Sequence, residues 1–417
     1  MADRPNTYIT ALLGKRRDSL LIQIRLSTSN PLPFNMSSPE SQISVLDEDM
    51  DNTDSSSSRA FYKLTSFERF FLEASPVFSQ LLQMKATFRQ DPAIDEMFAS
   101  RRERQIDGRD RPSHTYRHTY ERTMQIISNL HGDGFADNRV TRFLDLGCSP
   151  GGFSNWLLEN NRDATGMGIT LPDEEAPFRF DLDGTRLLEP RYTLLYQDII
   201  KLAMPAALEG GNPLSSAAGT ASGASTVCAT AALYDLVIAG AFPTLETYVP
   251  WWYRVRLTLC QILIAFTNLG PGGTCVVLVK NKPFRWLVEL LSLLRASFRE
   301  VTAAKGSHRV RTSSYLVCTG FCATGKELDV TVGKFRSALQ RLHSFSVEGA
   351  PQKVNDEDGW HNERSSALLD ESSDEELLAR EREPFLFVFE PQWTEQMDAM
   401  QQHLEYRTFS SSGVYHS

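Results

Sequence analysis

Apolar residues recur at threes and fours from Phe61 to about Leu130, as in FYKLTSFERFFLEASPVFSQLLQM and TYERTMQIISNL, and that spacing predicts helices. Between Arg142 and Phe321 the pattern changes. Short apolar runs at 142–146, 165–170, 193–196, 234–239, 274–280, 299–304 and 314–321 read as strands, with helices near 151–160, 246–267 and 284–297. Strands alternating with helices predict an α/β fold: a Rossmann-like seven-stranded sheet with crossover connections, flanked by helical N- and C-terminal extensions. After Lys326 the pattern predicts one more helix over VGKFRSALQRLHSF, then a polar stretch, then the amphipathic EPQWTEQMDAMQQHLEYR.

Composition divides the chain further. Residues 27–58 are rich in Ser, Asn, Pro and acids, so 1–58 is expected to be a disordered tail. Residues 59–132 form the expected helical extension and 133–326 the α/β domain, in which 209–232 is a Gly/Ala/Ser/Thr-rich surface loop. A helix over 327–346, an acidic disordered linker over 347–383 and a helix with tail over 384–417 complete the reading; the last helix is a candidate docking surface for a protein partner. There is no internal repeat. The six cysteines form no C-x-x-C pair and sit mostly in apolar text, which fits buried thiols in a reducing compartment. Only Cys318 and Cys322 are close, without a further Cys or His at ligand spacing, so no metal site is expected. No stretch approaches the roughly 18 to 20 apolar residues that span a bilayer. An intracellular protein, cytoplasmic or nuclear, is therefore expected. The basic and apolar residues of the first 26 positions keep a mitochondrial presequence as the alternative, although Asp3 and Asp18 argue against one.

The candidate chemistry begins at residues 142–161, RFLDLGCSPGGFSNWLLENN, where a strand, a glycine turn and a helix follow in register. The turn fits D-x-G-x-x-x-G-G. A dinucleotide fold wants G-x-G-x-x-G, and a P-loop wants a terminal Gly-Lys-Ser/Thr; neither is present. One glycine after the strand and a glycine pair opening the helix admit a bulky ligand without phosphate, such as the methionine part of S-adenosylmethionine. Asp145 at the strand end would accept hydrogen bonds from the ligand's ammonium or from a water bound to it.

DLGCSPGGFSNWLLE resembles the cofactor motif of the FtsJ-like methyltransferases, among them fungal FtsJ-domain proteins, and the similarity runs with gaps from about Arg142 to Phe321. The resemblance implies a class I methyltransferase sheet, S-adenosyl-L-methionine as cofactor and methylation of ribose 2′-hydroxyls in RNA. It makes Asp145, Gly147, Ser149, Pro150, Gly151, Gly152 and Phe153 the cofactor turn, and Asp198 in LLYQDII the acceptor for the adenine amino group. The residue reading alone also allows Asp198 to be a helix cap. Thr170 stands where such enzymes usually carry a ribose-binding acid, with Asp173 or Glu174 as substitutes.

The family's catalytic Lys-Asp-Lys-Glu tetrad is only partly matched. Gly240 stands at the aspartate position and Ser313 at the glutamate position. Lys280 lies two residues beyond the central lysine's place, held here by Leu278, and a two-residue offset keeps the same face of a strand. Lys63 in SRAFYKL matches the motif of the first lysine but lies some 80 residues before Asp145; Arg117 and Arg122 are nearer the expected spacing.

A formal net charge of −9 excludes bulk polyanion binding and directs any RNA contact to a local basic face. Two clusters qualify: residues 101–122, and residues 280–311 with Lys282, Arg285, Arg309 and Arg311 as candidate RNA ligands. Trp286, Tyr116 and His308 are candidate base-stacking residues. Trp251, Trp252 and Tyr253 read as packing. Three functions compete: methyl transfer to RNA, a scaffold that binds cofactor or RNA without turnover, and methyl transfer to a small molecule.

Overall fold

The central strand of the molecule is β1 (Arg142–Leu146), an apolar run interrupted by one carboxylate and buried over its last four residues. Around it the computed structural model describes residues 64–90, 94, 96, 114–176, 178–182, 190–214, 233–243, 249–347 and 365–411, all in a single unit of the chain. The tail 1–58, Lys63, the basic stretch 101–113, loop residues 215–232 and linker residues 347–364 contain sequence expectations that lie mostly or wholly outside the described residues.

Seven strands form one sheet in the order β3-β2-β1-β4-β5-β7-β6. The others are β2 (Thr165–Thr170), β3 (Tyr192–Tyr196), β4 (Tyr234–Ala239), β5 (Leu269–Lys280), β6 (Phe298–Ala304) and β7 (Ser313–Phe321). Pairings among β1 to β5 are parallel, whereas β7 runs antiparallel between β5 and β6. This is the α/β sheet of the class I methyltransferase fold. The order reverses at β1, whose neighbours are β2 and β4, and such switch points are where open α/β sheets bind ligands.

Alternation along the strands sorts residues onto two faces. Phe143, Leu236, Ile238 and Val276 pack with α3 (His114–Leu130) and α4 (Gly152–Asn160). Leu144, Leu146, Val237 and Val277 face the opposite layer, built from α5 (Ile199–Glu209), α6 (Trp251–Asn268) and α7 (Arg285–Ser297) with α8 (Gly325–Val347) outside α6. By the same alternation Asp145 and Lys280 both belong to the α3–α4 face. Strand β5 begins five residues earlier than its apolar run, because Leu269 pairs with Tyr234 before the register shifts at Leu236 and Thr274. Helix α6 begins at Trp251, after Pro250.

The expected acidic linker is ordered from Ser365 onward. Its second half belongs to a single helix, α9 (Asp374–Ser411), that continues through Pro384 and Pro391. The charges hide an apolar stripe at threes and fours: Leu377, Leu378, Phe385, Phe389 and Trp393 are all buried. This stripe packs on α1 (Ser66–Ala74) and α2 (Pro76–Gln90), with Phe385 4.7 Å from Phe71 and Trp393 4.5 Å from Phe78 between ring centroids. The N- and C-terminal extensions therefore form one helical layer. The inner face of α9 is occupied by its own chain. Among the described residues no helix is long and apolar enough to cross a membrane.

Candidate functional site

The chain leaves β1 through a tight turn whose amides are held by the neighbouring strand. Gly147 and Cys148 donate to the Ile169 carbonyl at 2.8 and 3.2 Å, and Gly151 donates back to Cys148 at 2.6 Å. Gly147 (φ 79°) and Gly151 (φ 101°) adopt left-handed backbone that side-chain-bearing residues rarely enter. Gly151 caps α4, and Gly152 opens it where a Cβ would overlap the Arg117 carbonyl of α3. The glycine pair thus serves helix packing as well as an open turn.

Asp145 is fully buried beneath this turn rather than exposed at its surface. Ser154 Oγ donates to its Oδ2 at 2.8 Å and stands 3.0 Å from the Tyr192 hydroxyl. Among the described residues no donor reaches its Oδ1. Burial outweighs the Ser154 hydrogen bonds and raises the carboxyl pKa from 3.8 to about 7. The folded state then holds a proton that the unfolded chain releases, so stability is lost as pH rises between these values. Across that window the contribution is roughly 4 kcal/mol. Urea unfolding at pH 5 and pH 8 should show a steeper loss for the wild type than for Asp145→Asn; parallel profiles would refute the assignment.

Other members of the predicted cofactor turn have partners of their own. The Ser149 hydroxyl donates to the Phe178 carbonyl, and the Pro150 carbonyl accepts the Asp181 amide at 3.1 Å. Phe153 is a core side chain, edge-on to Tyr120 and Tyr315 at 5.6 and 5.8 Å, so only its backbone is available to a ligand. Asp198 is the N-cap of α5, its Oδ1 accepting from Ile200 and Lys201 at 2.8 and 3.4 Å. Its Oδ2 lies 4.0 Å from Lys201 Nζ. Thr170 is buried, and Asp173 Oδ1 accepts the Phe180 amide at 3.2 Å, which commits that carboxylate to the crossover after β2. Glu174 is exposed.

Among the catalytic candidates, Lys280 ends β5 opposite Ser313 in the antiparallel register, and Leu278 lies on its face of the sheet. Gly240 follows β4, its amide donating to Leu146 at 3.0 Å, and a Cβ there would meet only ordinary contacts at 3.6–3.7 Å. Neither Gly240 nor Ser313 supplies a carboxylate. Arg117 lies over the turn: it pairs with Glu121 at 3.2 Å and donates to the Asp181 carbonyl at 2.6 Å. Arg122 is exposed on α3.

Three arginines of the predicted basic face, Arg285, Arg295 and Arg309, are paired with carboxylates of the same chain. Arg285 is buried, donating to Glu289 at 2.9 Å, to Asp374 and to the Ser372 carbonyl at 2.6 Å, and so is not a surface ligand for RNA. Arg295 pairs with Glu381 and Arg309 with Glu395, each at 2.9 Å. Lys282 is half-buried, 6.0 Å from the centre of the Phe284 ring. Arg311 is half-buried beside His308, which loss of solvent and the Arg311 charge push down to about 3, leaving it neutral. Trp286 is core, not a stacking platform. Tyr116 is buried against Phe178, with ring centroids 4.5 Å apart. Trp251 packs against Phe345 at 5.5 Å, and Trp252 and Tyr253 both flank Arg256.

Sequence reasoning overlooked Ser154, Tyr192 and the crossover residues Phe178 to Leu182. Ser154 had a signal, since it is the third residue of the helix that the glycine pair opens. The crossover has no regular period and carried none.

The model of the FtsJ-like methyltransferase family matches residues 126–321. No curated protein matches the chain. Among solved structures, one described as a ribosomal RNA methyltransferase from Plasmodium falciparum is 17% identical, with 49% of this chain and 98% of that one covered and a TM-score of 0.30. Human methyltransferase-like protein 13, solved in complex with SAH, is 13% identical, with 57% of this chain and 96% of that one covered and a TM-score of 0.31. At these scores neither bears on function.

Proposed function

We propose, from the match of residues 126–321 to the model of the FtsJ-like methyltransferase family, that this protein transfers the methyl group of S-adenosylmethionine to RNA. The observation that carries the reading is the D-x-G-x-x-x-G-G turn at the carboxyl end of β1, inside the matched residues and at the switch point of the sheet. The residues suit the cofactor. Left-handed backbone at Gly147 and Gly151 leaves those two positions of the turn without side chains, and the first amides of α4 lack intrahelical acceptors, which favours a carboxylate. Asp198 Oδ2 suits an adenine amino group. When bound, the cofactor supplies an electrophilic methyl on a sulfonium.

A ribose 2′-hydroxyl is the acceptor this reading favours, with Lys280 at the end of β5 as the group that lowers its pKa and orients it. Lys282 and Arg311 are the candidates for phosphate contact on that side. The partner is RNA by this reading, from the chemistry of the family rather than from the net charge.

A second reading, a scaffold that binds cofactor or RNA without turnover, is favoured by Gly240 and Ser313, which stand where the family's tetrad has its two carboxylates. The deciding experiment is methyl transfer from labelled S-adenosylmethionine to total RNA, using wild type, Lys280→Ala and Gly240→Asp. The enzyme reading expects transfer by the wild type and at least a tenfold loss in Lys280→Ala, a difference of about 1.4 kcal/mol in activation free energy. No transfer by the wild type, with transfer gained in Gly240→Asp, would establish the scaffold. A Cβ at Gly240 meets only ordinary van der Waals contacts, so circular dichroism of the aspartate variant should show a folded protein.

A further inference from the structure

Three segments border the glycine turn, and each sends a ring toward the same place. The crossover is fixed to the turn at Ser149, whose hydroxyl donates to the Phe178 carbonyl, and at Pro150, which accepts the Asp181 amide at 3.1 Å. Helix α3 is fixed at Gly152, where a Cβ would overlap the carbonyl of Arg117, the residue after Tyr116. The segment after β4 is fixed at Gly147, where a Cβ would overlap Ala241, the residue before Phe242. The rings then meet one another. Tyr116 and Phe178 are 4.5 Å apart, and Phe242 packs against Tyr116, which retains 6% exposure. Rings from three segments that border one turn thus converge on Tyr116.

We propose that Tyr116, Phe178 and Phe242 form an aromatic cover over the glycine turn, latched by Arg117, which has to open for S-adenosylmethionine to enter. The inference rests on the reading that this turn holds that cofactor. Arg117 is the latch because its Nη1 donates to the Asp181 carbonyl at 2.6 Å and stands 3.6 Å from the Asp181 carboxylate, tying α3 to the crossover. The closed cover buries apolar ring surface that opening would expose to water. A ligand that binds only open molecules has its apparent affinity reduced by the open fraction. The cover therefore sets cofactor affinity from outside the motif that recognises the cofactor.

The test titrates S-adenosylhomocysteine into wild type, Phe242→Ala and Arg117→Gln by calorimetry, with association followed by stopped flow. Both variants should bind about threefold or more tightly, since each raises the open fraction. The wild-type association rate should level off at high ligand, where opening becomes limiting, and the variants should level off at a higher rate. Should Phe242→Ala fail to fold, Arg117→Gln alone decides, because it removes no core side chain. Equal affinities with rates rising linearly would overturn the cover and leave the cofactor reading intact. Weaker binding by the variants would also overturn it and make the rings direct ligand contacts. No binding by any of the three proteins would overturn both the cover and the cofactor reading.

Discussion

Gly147→Arg is expected to abolish binding of S-adenosylmethionine and to lower the thermal midpoint. Two independent effects act at this position. A residue with a side chain held at φ 79° is strained by about 1–2 kcal/mol, and its Cβ would overlap the Ala241 backbone after β4. Backbone cannot swing aside as a side-chain end can, so β1 and β4 have to separate where the sheet order reverses. Gly132→Ala separates the two effects. Gly132 has φ 61° but nothing within 4 Å of its Cβ position, so its variant carries the backbone strain alone. Calorimetry should show wild-type cofactor affinity in Gly132→Ala and no measurable heat in Gly147→Arg. Retained affinity in Gly147→Arg would place the cofactor elsewhere.

Trp393→Ala is expected to destabilise the protein by roughly 3–5 kcal/mol, the usual consequence of emptying a large buried aromatic site. Trp393 has no exposed surface and lies at the junction of three elements. Its ring packs on Phe78 of α2 at 4.5 Å, and its Nε1 donates at 2.6 Å to the carbonyl of Asn281, the residue after Lys280. Gln396, one residue short of a turn further along α9, donates to the Val310 carbonyl at 2.9 Å in the loop between β6 and β7. Removing the indole creates a cavity and leaves a buried carbonyl without its donor. Trp393→Phe keeps most of the packing and should lose only about 1–2 kcal/mol, the share of the hydrogen bond and its desolvation. Urea unfolding of both variants measures the difference. Equal losses would mean that the hydrogen bond to Asn281 contributes the whole effect.

How legible this was in the sequence differs from element to element, for physical reasons. The strands were readable because each apolar run has to be buried on both sides of a parallel sheet, and burial writes itself as near-continuous Val, Ile and Leu. The turn was readable because left-handed backbone at Gly147 and Gly151 restricts residue choice locally. Helix α9 was misread over Asp374–Glu383 because charge count was given more weight than the period of Leu377, Leu378 and Phe385. Charged residues on the outer side of a helix say nothing against burial of its inner side.

The basic cluster shows the opposite limit. Arg285, Arg295 and Arg309 read as a phosphate-binding surface, since their partners Asp374, Glu381 and Glu395 lie 86 to 89 residues away in sequence. Ion pairs between distant segments leave no local pattern; only the docking of α9 reveals that these charges are already matched. The same holds for Asp145 and for the three rings. Sequence alone determined the α/β sheet, the glycine turn and its place after the first strand, because these depend on neighbours within a few residues. Tertiary structure decided that Asp145 is a buried, protonatable carboxyl, that Arg285, Arg295 and Arg309 are already paired and that Phe178 and Phe242 pack on Tyr116, because each depends on groups brought together from separate segments of the chain.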